Sequence, residues 1–290
     1  MERIIGRDWY EGKISDVHEV ILHDLGHGHK EASISRAVVW EHGGTMTEAA
    51  YQQYLETLEK WKASPEGIAA AEEKAQSNKE RAARRAKTKV RRICKTMGVD
   101  ALLTLTYREN MQDLAACKKH MKEFVRRLRA LIPGFAYVAA FERQKRGAWH
   151  VHMAIHKLPF NLTWAGVKVK SYSVVRAVWR RVVGDLGGNI DESRKKRQSR
   201  KSPAQMASYI SKYILKAFED GEDYSNRYSS SEYSLPKPVR MRFEKEAMAD
   251  LVALVYMALG QPGTLTNPWL SSWGDRFFLS SELDPDALKP

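Results

Sequence analysis

Cysteine is scarce in this chain. Cys94 and Cys117 are the only two, and neither belongs to a Cys-x-x-Cys motif. That argues against a disulfide scaffold and a cysteine-built zinc site, and it suits a reducing cytosol. Long apolar runs are missing as well. The most apolar stretch, Ala247 to Leu259, contains Asp250 and falls short of the roughly 20 residues that span a bilayer. The opening MERIIGRDWYEG is too polar for a secretory signal. A phosphate loop is not formed either, because Gly6 to Lys13 has one residue too many and no Ser or Thr follows the Lys. Acidic residues are in deficit: 35 Asp and Glu stand against 48 Lys and Arg, a formal charge of +13. This balance favours a polyanionic partner, either nucleic acid or an acidic membrane surface.

What is present suffices for a core: 290 residues, 43% of them hydrophobic. That is enough for one large domain or two small ones. Residues 1–44 show no clean period. HDLGHGHK holds His23, His27 and His29 and reads as a glycine-rich polar loop, since no carboxylate or cysteine cluster stands at ligand spacing beside it. Thr47 to Trp61 reads as a helix with Tyr51, Tyr54, Leu55, Leu58 and Trp61 on one stripe. Ser64-Pro65 opens a second helix reaching Thr96. Its second half, Lys79–Lys95, carries nine positive charges against one negative. Arg84, Arg85, Lys87, Lys89, Arg91 and Arg92 in that run are candidate phosphate contacts.

From Val99 the texture is that of strands alternating with helices. Ala101–Tyr107 reads as a strand, followed by a helix capped by Asn110 and ended at Gly134. Phe135–Glu142 and Trp149–His156 read as a hairpin turned at Gln144 to Gly147. Ser171–Val183 is a helix, and Asn189–Asp191 begins a further strand. The basic loop Arg194–Lys201 adds Arg194, Lys195, Lys196, Arg197, Arg200 and Lys201 as DNA contacts. A helix at Ala204–Phe218, a Ser/Tyr-rich linker through Leu235, a strand at Val239–Phe243 and a helix at Glu244–Leu259 follow. The last thirty residues lack a clear period.

Two groups of residues carry chemistry. His150 and His152 are i and i+2 on a strand, so they share a face, about 7 Å apart along the chain. Alone they could be inert on a solvated sheet face. Glu142, at the end of the partner strand, makes the set two imidazoles and a carboxylate, which suits Mg²⁺ or Mn²⁺ with positions left for substrate oxygens. The second group is Tyr209, Lys212, Tyr213 and Lys216, one stripe of a helix whose opposite stripe is Ala207, Ile210, Ile214 and Ala217. A phenol is a poor nucleophile near neutral pH, and a nearby ammonium or a metal ion on the phosphate improves its prospects.

In order along the chain, LLTLTY (Leu102–Tyr107), HVH (His150–His152) with Glu142 upstream, and YISKYILK (Tyr209–Lys216) resemble the three motifs of the HUH endonucleases. Among these, the tyrosine pair after the histidines is similar to the rolling-circle replication initiators of phages and plasmids. Conjugative relaxases place the tyrosine first, and the small transposases usually lack the pair. Glu142 departs from members that carry a third histidine. The resemblance covers about 115 residues, less than half the chain.

It implies an α+β fold, with an antiparallel sheet of roughly five strands and packed helices, an RRM-like core. The expected organisation is a mostly helical basic region at 1–97, a catalytic domain at 98–220 and a linker with a helical extension at 221–290. The implied activity is nicking of single-stranded origin DNA by Tyr209, with Tyr213 as alternating partner, leaving a 5′-phosphotyrosine and a free 3′-hydroxyl. Rejoining would end the round, while a host helicase and polymerase would unwind and copy. A transposase or relaxase and a non-catalytic nucleic-acid-binding regulator are the alternatives. A cytoplasmic setting in a bacterial host, with no membrane contact, is the matching expectation; the oligomeric state is left open.

Overall fold

The computed structural model describes residues 1–156, 158–164, 166–194, 207–213, 228–231 and 234–284. They fall into two units, Met1–Arg81 with Pro236–Pro290, and Ala82–Leu235. In the first unit, β1 (Glu2–Ile5), β2 (Asp8–Asp24) and β3 (Lys30–Thr45) are consecutive antiparallel strands. The expectation of a mostly helical region at 1–97 is therefore corrected: its first 45 residues are largely strand. The alternation is hidden because β2 carries an irregularity between Ile14 and His18, which shifts inward and outward positions midway. The histidine-rich loop shrinks to a tight turn. Gly26, His27 and Gly28 all take positive φ, and Asp24 Oδ1 accepts from the Gly26 N–H at 2.9 Å.

Helix α1 (Glu48–Ala63) is capped by Thr47, whose side chain accepts from the Ala50 N–H. The expected apolar stripe does not become a packing face, since α1 has no buried residue and Trp61 is exposed. Helix α2 (Pro65–Met97) starts under the Ser64 cap. The C-terminal region expected to be helical also supplies strands to the first unit.

The second unit is built on β4 (Ala101–Tyr107), α3 (Leu114–Leu131), β5 (Tyr137–Arg143), β6 (Trp149–Ile155), a small hairpin β7 (Asn161–Trp164) and β8 (Val167–Lys170), α4 (Ser171–Val183) and β9 (Gly188–Arg194). A helical stretch at 207–213, here α5, and β10 (Tyr228–Ser230) complete it. The sheet order is β10-β5-β6-β4-β9, with every pair antiparallel. The βαββαβ core and central β4–β6 pair match the expected RRM-like arrangement. α3 is capped by Asp113, which accepts from the Ala115 and Ala116 N–H groups; Asn110, the expected cap, instead donates to the Arg146 carbonyl. A two-oxygen acceptor one residue before the helix outcompetes an amide three residues further back. β10 lies in the segment expected to be linker and closes the β5 edge.

Alternation along β4 and β6 gives the sheet two different faces. One face sends Leu103, Leu105, Tyr107, Val151 and Met153 into the large core beneath α3 and α4. Trp179 is fully buried there, edge-on to both Tyr107 and Phe124. Its indole donates to the Thr106 carbonyl at 2.9 Å, so its one polar atom is satisfied. The other face packs Val138, Ala140 and Ala154 against Val90, Ile93, Cys94 and Met97 of α2 and Ala207 and Ile210 of α5.

Back in the first unit, β11 (Val239–Glu244) pairs with β2, α6 (Met248–Leu259) lays Leu251, Val255 and Leu259 on the sheet, and β12 (Thr264–Leu270) and β13 (Arg276–Leu283) form its last hairpin. The final segment, without visible period in sequence, is thus two paired strands. Among the described residues no helix is long and apolar enough to cross a membrane.

Burial pushes the Cys94 thiol up to about 12 and the Cys117 thiol up to about 11. The native protein should accordingly release no chromophore from a disulfide reagent at pH 8 within minutes, and both thiols should react once urea unfolds it. Rapid reaction of the native form would show that these helices are not packed as described.

Candidate active site

Pairing of β5 with β6 sets Glu142 opposite His150 and Ala140 opposite His152; pairing of β4 with β6 sets Thr104 opposite His152. All these side chains therefore lie on the sheet face covered by α2 and α5, as the i, i+2 spacing predicts. Trp149, Val151 and Met153 point into the opposite core.

His152 is the most constrained of them. It is 8% exposed and Glu142 is 7% exposed. His152 Nε2 and Glu142 Oε2 are 2.8 Å apart, and His152 Nδ1 lies 3.3 Å from Thr104 Oγ1. Gln144 donates from Nε2 to the same Glu142 oxygen at 2.9 Å. Thr104 and Gln144 were missed as site residues. The alternation of LLTLTY carried the signal for Thr104; Gln144 read only as a turn residue.

His150 sits 6.5 Å from His152, centroid to centroid. Its Nε2 is buried with no hydrogen-bond partner. Burial lowers its pKa below the usual histidine value, His152 and Arg146 push the same way, and Glu142 opposes them. Among the described residues, no three His, Cys, Asp or Glu side chains are gathered closely enough to hold an ion. The expected trio is adjacent, with Glu142 and His152 bonded to each other. His156 is exposed just beyond β6.

The tyrosines come to the same place. The ring of Tyr213 stacks on His152 at 3.7 Å between centroids, with the planes 13° apart. Tyr209 Oη and Tyr213 Oη are 2.6 Å apart. Ala207 and Ile210 are buried beneath them, so α5 turns its apolar stripe to the sheet and its phenols toward the histidines. Tyr209 is 42% exposed, and Tyr213 is half-buried. Burial first, then the hydrogen bond to Tyr209 and the charge of Glu142, raise the Tyr213 pKa above the ordinary phenol range. Lys212 is exposed on α5; Lys216, Ile214 and Ala217 lie outside the described residues.

Of the expected DNA contacts, Arg84, Arg85 and Lys89 are exposed on α2, and Lys87, Arg91 and Arg92 are half-buried. Val90 and Ile93 of the same helix pack on the sheet face that carries the site. Arg194 ends β9; Lys195, Lys196, Arg197, Arg200 and Lys201 lie outside the described residues.

Residues 100–218 match the family model of the replication-associated protein of the ORF2 and gene II protein type. The match falls within the second unit and takes in the strand, histidine and tyrosine motifs. It covers less than half of the chain. No curated protein and no solved structure matches. The similarity supports a replication initiator that binds DNA.

A depressed His150 value keeps that ring neutral at pH 7. NMR titration of the metal-free protein should show it protonating below about 6.5, the model-peptide value. Because the folded value lies below the unfolded one, the contribution to stability is complete above about pH 6.5 and is lost as pH falls through the window beneath it. A His150 that titrates at or above the model value would contradict the burial described.

Proposed function

We propose that this chain nicks single-stranded DNA at a replication origin and rejoins the ends, with a tyrosine hydroxyl as nucleophile. The observation that carries the reading is the stacking of Tyr213 on His152, with Tyr209 one hydrogen bond further out. A regulator that only bound nucleic acid would have no use for two phenols, two imidazoles and a carboxylate drawn together on one sheet face.

Tyr209 is the better first nucleophile. It is the more exposed of the two and can meet a strand. Tyr213 retains its proton, so its O–H can donate to Tyr209 Oη and stabilise developing phenolate there. The Tyr209 oxygen attacks phosphorus in line, and the phosphorus–O3′ bond breaks. The phenolic proton leaves to the solvent that reaches Tyr209, and O3′ takes a proton to become the free 3′-hydroxyl. The 5′ end stays on the protein as a phosphotyrosine. Attack by a 3′-hydroxyl on that ester reverses the step and restores the strand. Lys212 and Lys216 on the tyrosine stripe would favour phenolate and attract phosphate.

The donor set fits a hard divalent ion, and the buried, unbonded Nε2 of His150 is the kind of atom such an ion would satisfy. His150, His152 and Glu142 would hold Mg²⁺ or Mn²⁺, with Glu142 and His152 turning from each other toward it. When bound, the ion would withdraw charge from the scissile phosphate. Thr104 and Gln144 fix the orientation of His152 and Glu142. The basic residues of α2 would track the strand through its phosphates. Duplex unwinding and copying fall to a host helicase and polymerase.

With manganese and single strands from the cognate origin, the wild type should form a covalent protein–DNA adduct visible on a denaturing gel. Combining Tyr209→Phe with Tyr213→Phe should abolish it, and chelator should suppress it. An adduct that persists in the double variant would remove the tyrosine assignment.

A further inference from the structure

One end of the same sheet carries a cavity of about 630 Å³ whose lining includes Thr106, Arg108, Arg180, Gly187, Gly188 and Asn189. We propose that this cavity is a second phosphate site, holding a phosphodiester of the single-stranded substrate next to the one that reacts. The inference rests on the nickase reading above.

Position is the first argument. Thr106 pairs with Asn189, and the β4–β6 register, continued by one residue beyond Leu105–Val151, sets Thr106 across from His150. The cavity thus borders the row of the sheet that holds Glu142 and His150, with Asn189 two strand spacings, about 10 Å, from His150. A strand laid across the sheet from the tyrosines would run into it.

Charge is the second. Two guanidiniums line the cavity, each tied at one end to a backbone carbonyl: Arg180 Nε donates to the Gly188 oxygen at 3.0 Å, and Arg108 Nη2 donates to the Asp185 oxygen at 3.3 Å. A carbonyl orients a guanidinium without neutralising it. Arg108 also meets Glu109 at 3.3 Å, but that pair is 72% and 59% exposed, and such pairs contribute little and exchange readily for phosphate.

Shape is the third. The glycines leave bare backbone around the arginines. A Cβ at Gly188 would lie 2.6 Å from the buried Trp179 indole nitrogen, and one at Gly187, where φ is +59°, would lie 3.1 Å from the Arg108 guanidinium. Glycine is what lets the arginine fold against that wall. The volume admits a nucleotide, not merely an ion.

The test is binding of a labelled single-stranded thymidine oligonucleotide to the full chain in chelator, so that chemistry does not intervene. Arg108→Gln should weaken binding about ten-fold, the order of one charge-assisted contact. It should also reduce the slope of log K against log salt by about 0.7, the value for one single-strand phosphate. Arg108→Lys keeps the charge and should retain the wild-type slope. Arg126→Gln removes equal charge from the outer side of α3, where Arg126 pairs with Glu123, and should change neither quantity. If Arg108→Gln keeps both affinity and slope while the wild type binds and forms its adduct, the cavity assignment is wrong and the nickase stands. If the wild type does not bind single strands at all, both readings fall.

Discussion

One imidazole, His152, joins everything at the site. Glu142 meets one of its nitrogens, Thr104 the other, and Tyr213 covers its face. A buried carboxylate or a buried histidine alone would be costly, because each loses water without replacing it. Side by side, with Gln144 also donating to the acid, they satisfy each other. The tyrosine helix is fixed by the same contact. Ile210 anchors it in the apolar layer, and the Tyr213 ring rests on His152 as the polar continuation of that layer.

The sheet makes this possible by dividing its labour between faces. The large core beneath α3 and α4 takes nearly all the bulky side chains of β4 and β6. The second face is lined by small residues, Ala140 and Ala154, beside the polar row. Small neighbours let α2 and α5 come close without covering His150 completely. The charges of α2 thereby reach the face where the phenols lie, so that one element both seals part of the core and presents cations.

Much of this was legible in the sequence, for definite reasons. Alternation along Ala101–Tyr107 and Trp149–Ile155 is regular, so strands, faces and the shared direction of His150 and His152 followed from a period of two. Helix α4 was readable because its apolar residues recur at helical spacing between Ser171 and Val183. The first unit was not. In β2 a register irregularity inverts the pattern midway, and in β12 the residues are nearly all exposed, so no buried face imprints a period. The stripe on α1 misled in the other direction: a helical period shows what could be buried, and α1 buries nothing. The bond between Glu142 and His152 belongs to a third kind, since spacing can place two side chains together without saying whether they face an ion or each other.

The short contact between the two phenol oxygens has one further consequence. Each hydroxyl is part of the other's solvation shell, so the pair behaves as a coupled unit rather than as two independent groups. Esterifying either oxygen removes the proton it could donate and crowds the position its neighbour bonds to. The second hydroxyl then has to find water or the histidine face instead. Modification of one ring is thus registered by the other at once, and the pair carries an intrinsic memory of which member was used last.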